Sequence, residues 1–193
     1  MVLKLIDDMN KALDNNCFLS ALAIALTLPD ICGNAKYPDL GVTKRYTKWY
    51  DEYIGKYEKC PGREDEMPYL SGEIVYQLRC SFLHSGNPNV SKDKITEDCC
   101  KVDNFILVTE KKKTFNSYTD ACYSTDYNFL YGKSEERHLT YEVNVRRLCL
   151  IISETAKEYY ISNKELFDFF DFTIVDRDDW YRTYDDGVNQ FEY

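Results

Sequence analysis

Apolar residues recur at helical spacing from the start of the chain. Val2, Leu5, Ile6, Met9, Ala12 and Leu13 fall on one face and predict an amphipathic first helix. "DNN", 14–16, either breaks it or caps the next one. The run Cys17 to Leu28 is apolar on nearly every face, which predicts a central helix covered on all sides. Pro29 is expected to stop it. "PDICGNAKYPDLG" then carries two prolines and two glycines and predicts a loop.

A third helix is expected from Thr43, as N-cap, to Tyr57. Its packing stripe is Val42, Tyr46, Trp49, Tyr50, Tyr53 and Tyr57, with Lys44, Arg45 and Lys48 on or beside the solvent face. "EKCPGREDEMP" is a polar loop. A fourth helix opens near Pro68 to Ser71 and carries Leu70, Ile74, Val75, Leu78 and Phe82. "SGNPN" ends it, with Gly86 near the C-cap and Pro88 beyond.

The period then changes. "NFILVTE", 104–110, reads as a strand and "HLTYEVNV", 138–145, as its partner. The polar, tyrosine-rich stretch between them predicts a hairpin-like excursion. "VRRLCLIISETAKEYY" returns to helix, with Leu148, Ile151, Ile152, Ala156 and Tyr159 toward the core. "NKELFDFF" is a short helix or its continuation. The pattern predicts one mainly α domain over 1–193: an up-and-down helical bundle with a small β-hairpin excursion between the fourth and C-terminal helices. The helical core covers about 1–90 and 144–172, the excursion about 91–143, and an acidic aromatic tail 173–193.

Composition agrees with a globular chain. Of 193 residues, 44% are hydrophobic and 30% charged, enough to bury a core without staples. The net charge of −9 weighs against a stand-alone nucleic-acid binder but leaves room for a local basic site. The N-terminus lacks the basic-then-apolar order of a signal peptide. The apolar run before Pro29 falls short of a membrane span. A cytoplasmic chain with no membrane partner is the expectation. None of the eight cysteines forms a C-x2-C pair, so reduced thiols are expected rather than zinc ligands, with vicinal Cys99 and Cys100 as a redox candidate.

Asp176, Asp178 and Asp179 offer hard oxygen ligands. An acidic tail is more often solvated, and no metal or other cofactor is expected. His138, beside Arg137 in a strand-like segment, reads as a surface residue. No phosphate loop, Ser-His-Asp or Cys-His signature is present.

The chain has two histidines, and one closes the fourth helix: "YQLRCSFLHSGNP" sets Arg79 five residues before His84. On a regular helix such positions lie roughly 140° apart, so they meet only if the last turn departs from regularity. Arg79 borders the apolar face and needs an acceptor such as Glu73. In the plainest reading Arg79 pairs with that carboxylate and His84 caps the helix C-terminus.

"EIVYQLRCSFLHSGNPN" resembles the signature of the HEPN superfamily: an Arg, four to six residues, then a His near the end of a core helix. The likeness covers about Met1 to Asn89 and is similar to small uncharacterised or abortive-infection-like members. It implies a metal-independent endoribonuclease in which the ribose 2′-hydroxyl attacks the adjacent phosphorus. The implied site is composite, at a homodimer interface. Arg79 would steady phosphate charge and His84 would move protons, roles both residue types suit. Ser85 and Asn87 are candidates for hydrogen bonds near the cleft, against simple helix termination. Lys44 and Arg45 are candidates for guiding RNA, against a solvated face. An antitoxin or nucleotidyltransferase-type partner is also implied. Active members often carry Asn, Asp or His after the Arg, where this chain has Cys80. Together with the acidic charge, that departure favours the alternative, a non-catalytic HEPN-like dimerisation or partner-binding module.

Overall fold

The structure, a computed structural model, describes residues 1–59, 62, 69–109, 121–126 and 137–177. Helix α1, Val2–Asp14, turns Val2, Ile6, Met9 and Leu13 inward. Asn16 then takes a left-handed φ of 57°, which Asn tolerates better than most residues, and the chain reverses there. Helix α2, Phe18–Ala25, buries Ala21, Leu22 and Ala25. It is not covered on all sides: Leu19 is 60% exposed.

The predicted loop after Pro29 is a helix, α3, Leu28–Lys36. Pro29 lies in its first turn, where no intrahelical N–H is needed, so it starts this helix rather than only ending the previous one. Gly33 is also required rather than disruptive. A Cβ there would stand 2.6 Å from the carbonyl oxygen of Arg45. Together Phe18–Lys36 form a 19-residue stretch of mean hydropathy 1.5, long and apolar enough to cross a membrane by length and composition. The expectation that Pro29 leaves the run too short does not hold, although half of that window is buried in this fold.

Helix α4, Val42–Tyr53, starts from Gly41 rather than Thr43 and stops four residues before the expected end. Tyr46, Trp49 and Tyr50 are fully buried, while Val42 and Tyr57 are exposed. The stop coincides with a tight 3-10 turn, Gly55–Tyr57. Gly55 lies so close to Asp51 that a Cβ would meet its carboxylate. Helix α5, Gly72–Cys80, opens on Ser71, whose Oγ accepts the Ile74 N–H. It buries Ile74, Val75 and Leu78 as expected. It then widens into one π-helical turn, Ser81–Ser85, and ends at Gly86 with φ +60°.

The two expected strands pair, and the excursion between them supplies a third strand that makes the hairpin. Strand β1, Asn104–Val108, and strand β3, Arg137–Asn144, are parallel neighbours. The antiparallel partner of β3 is strand β2, Ala121–Asp126, from the segment read as polar excursion. Among the described residues the sheet order is β1-β3-β2. Alternation identifies strands but not their direction, and β2 lacks a clear apolar alternation in the sequence.

The Asn144 side chain accepts the Arg147 N–H and starts helix α6, Val145–Ser162, directly from β3. Leu148, Ile152, Ala156 and Tyr159 of α6 enter the common core, with Ile151 at its margin. Arg147 clasps Glu58 through one nitrogen at 2.8 and 2.7 Å, tying α6 to the segment after α4. A 3-10 turn, Lys164–Phe167, follows α6, and Asp171 to Asp176 run exposed beyond it. Asp178 and Asp179 lie outside the described residues. Cys32 and Cys149 are buried thiols, and burial pushes Cys149 up to about 12. Such thiols stay protonated and inert.

Candidate functional site

The close passage of α3 over α4 sets the geometry around Arg79. Asp30 and Asn34 flank Gly33 on α3, and both reach Arg45 on α4. The Arg45 Nε donates to Asp30 Oδ1 at 2.8 Å, and a second Arg45 nitrogen donates to Asn34 Oδ1 at 2.6 Å. Arg45 is therefore a structural clamp on α3 and not the solvated helix face expected of it. Lys44 is exposed, and Lys48 lies 4.2 Å over the Tyr37 ring.

Arg79 approaches the same carboxylate from α5. One of its terminal nitrogens is 3.6 Å from Asp30 Oδ2, close enough for charge attraction and too far for a hydrogen bond. The expected partner, Glu73, is engaged elsewhere: its carboxylate accepts the backbone N–H and the hydroxyl of Thr96. The Arg79 guanidinium sits 5.9 Å from the Tyr46 ring centre and 5.8 Å from that of Tyr76, within cation–π range. Its Nε is buried and has no partner among the described residues. Two guanidiniums thus share one carboxylate, and the better geometry belongs to Arg45.

Two tyrosines complete the surroundings. Tyr46 is fully buried, and its hydroxyl has no hydrogen-bond partner among the described residues. Burial holds its phenol far above the ordinary value, with Arg79 opposing, so it stays a neutral O–H. Tyr76 is half-buried one turn before Arg79 on the same helix side. Its oxygen accepts from Thr43 Oγ1 at 3.0 Å, which leaves its own proton to donate elsewhere.

His84 is exposed in the π-turn. The turn matters because its bonding pattern is i→i+5, so residues five apart along it come nearer in angle than on an α-helix. Arg79 lies in the regular α5, two residues before this turn, and His84 lies within it. Single π-turns inside helices recur at functional sites. No hydrogen bond joins His84 to another described residue, and none joins it to Arg79.

Neighbouring candidates serve the turn itself. Ser85 Oγ reaches the Cys80 carbonyl at 3.5 Å, and Asn87 Oδ1 accepts the Asn89 N–H at 3.0 Å. Both side chains are exposed, and those bonds close the helix. Ser81, the hydroxyl nearest to Arg79 in sequence, is buried and donates to the Asn89 carbonyl.

A groove of about 620 Å³ lies between the Tyr53–Glu58 segment and α6, walled by Tyr53, Tyr57 and Tyr159. None of the site residues named above lines it.

Asp30, Asn34, Tyr46 and Tyr76 were missed as site residues in the sequence. Asp30 and Asn34 were hidden by the loop reading of α3, Tyr46 was read as packing, and Tyr76 was given no role of its own. Comparison of the chain with protein-family models, with curated proteins and with solved structures gave no match.

Proposed function

We propose that the chain is a HEPN-like helical protein that cleaves RNA without metal, using Arg79 and His84 at a groove shared by two copies. What supports this reading is the sequence of Arg79 near the end of α5 and an exposed His84 in the π-turn that follows it. Arg79 adds a charged fork that makes no hydrogen bond to Asp30, its carboxylate partner 3.6 Å away.

The chemistry follows from the residue types. One imidazole takes the 2′-hydroxyl proton as the 2′-oxygen attacks phosphorus. A second imidazole, from the other copy, gives a proton to the departing 5′-oxygen. The guanidiniums stabilise the charge that grows on the phosphate oxygens. The products are a 2′,3′-cyclic phosphate and a 5′-hydroxyl. One copy alone supplies a single imidazole, which is why the reading includes a homodimer.

The test is incubation of the full chain with single-stranded RNA in a chelator, with end-group analysis of the products. Cleavage that leaves 2′,3′-cyclic phosphate, and that is lost in Arg79→Ala and in His84→Ala while the fold persists, supports the reading. Absence of metal-free cleavage by the wild-type chain across pH 5–8 overturns it. A second reading, a non-catalytic HEPN-like module, is favoured by the in-chain contact of Arg79 with Asp30 and by Cys80 directly after Arg79. In that case the dimer forms and no RNA is cut.

A further inference from the structure

We infer that Asp30 is a built-in competitor for Arg79, a fixed carboxylate that occupies the place of a phosphoryl oxygen until a phosphate ester displaces Arg79 from it. The inference rests on the reading of Arg79 as a phosphate group's partner and adds how that contact is regulated.

Three observations carry it. The first is that Asp30 is anchored from both sides. Its Oδ1 is held by Arg45 at 2.8 Å, Arg45 is held again by Asn34, and Gly33 packs α3 directly against the Arg45 carbonyl of α4. The second is that the two arginines are held unequally. Arg45 makes hydrogen bonds to two acceptors, while Arg79 stands 3.6 Å from Asp30 Oδ2 and keeps a buried Nε without a partner among the described residues. The third is the charge balance. Two guanidiniums against one carboxylate leave one positive charge in excess, all three side chains being 20% exposed or less. A partly desolvated cation held by a distant carboxylate and two aromatic rings, with no hydrogen bond to an acceptor among the described residues, favours an incoming anion that offers hydrogen bonds as well.

Asp30 then sets the strength of anion binding. It repels the incoming phosphate and must give up its share of Arg79. Removing its charge while keeping an acceptor for Arg45 is expected to strengthen binding. Asp30→Asn does this, because its amide oxygen can still accept from the Arg45 Nε. It is a positioning residue, and the expected effect is a gain that structural damage does not produce.

The experiment measures binding of a 2′-deoxy single-stranded oligonucleotide, which cannot be cleaved by 2′-oxygen attack, to the full chain. Inorganic phosphate serves as competitor. Wild type, Asp30→Asn, Arg79→Ala and the double variant are compared, with thermal unfolding as a fold check. The expected result is affinity about tenfold higher in Asp30→Asn, as removal of one nearby like charge predicts, and no such gain in the Arg79→Ala background. Unchanged or weaker binding by a folded Asp30→Asn overturns the inference, as does an equal gain in the Arg79→Ala background. If Asp30→Asn unfolds, Asp30→Ser, which also removes the charge and keeps an oxygen for Arg45, is read instead. A gain that needs Arg79 supports the inference, and unchanged or weaker binding by the folded variant overturns it. Cleavage is scored separately: tighter binding without any RNA cleavage overturns the nuclease reading and leaves this inference standing.

Discussion

Gly33 of α3 passes the carbonyl oxygen of Arg45 on α4 so closely that a Cβ would stand 2.6 Å from it. The two backbones are therefore in contact where Asp30 and Asn34 grip the Arg45 side chain. Gly33→Ala must push the helices apart, since the obstacle is backbone and cannot rotate away. The expected cost is about 1–3 kcal/mol, as for overpacking elsewhere, with the Asp30–Arg45–Asn34 clamp disturbed first. Urea unfolding measures the loss. A variant as stable as the wild type would refute the backbone contact between α3 and α4.

Glu58 and Arg147 form a second fixed point. The Glu58 side chain is 8% exposed and that of Arg147 17%, and the pair spans 89 positions of sequence. A buried pair costs desolvation and adds little net stability, but removing Glu58 takes its carboxylate away from a partly buried guanidinium. Glu58→Ala is expected to lose about 1–3 kcal/mol, the cost of removing a hydrogen bond to a charged group in partly buried surroundings. Replacing both partners by apolar residues of similar volume should recover most of that. Chemical denaturation of the three variants tests this, and a double variant no better than Glu58→Ala would refute it.

The legible parts of the sequence were those where one physical signal acted alone. The stripe of α1, the apolar face of α5 and the core side of α6 followed from helical periodicity, and Gly86 followed from the need for a helix stop. The illegible parts were those where a local signal had two meanings. Pro29 both closes an apolar run and opens a helix. Gly33 was read as a loop residue, when its lack of a side chain serves helix packing. Asp30 was lost with that loop, and with it the partner of Arg79. The π-turn could not be read either, because Arg79 and His84 give the spacing and not the winding between them. The direction of β1 against β3 depended on β2, whose residues alternate weakly.

Gly86 ends the π-turn with a φ of +60°, a left-handed conformation costly to residues that carry a Cβ. No atom crowds the position, so the strain alone sets the cost. Gly86→Ala is expected to destabilise by about 1 kcal/mol, and Gly86→Asn by less, because Asn accepts this region more readily. Thermal unfolding ranks the three. If the proposed reaction occurs, loss of the stop also loosens His84, and the Ala variant should lose more activity than stability. Equal stability of the Ala and wild-type chains would exclude a left-handed residue at this site.

Asp51 supplies the pH dependence. It sits on α4 against the start of α5, where its Oδ1 accepts the Gly72 N–H at 2.6 Å. Burial raises its carboxyl from 3.8 to about 6; the Gly72 N–H opposes the shift, the charges of Glu73 and Glu97 add to it, and Lys59 opposes. The folded state therefore holds a proton that the unfolded chain releases at about pH 4. The stabilisation from that proton is fully present below the unfolded value and is lost as pH rises through about 6. A shift of this size corresponds to a contribution on the order of 3 kcal/mol, spent between pH 4 and 6. Asp51→Asn keeps an oxygen for the Gly72 N–H and cannot ionise. It should match the wild type near pH 4 and become the more stable chain by pH 7. Urea unfolding of both at half-unit pH intervals checks this. A stability difference that stays flat from pH 4 to 7 would mean that Asp51 ionises in the fold as freely as in water.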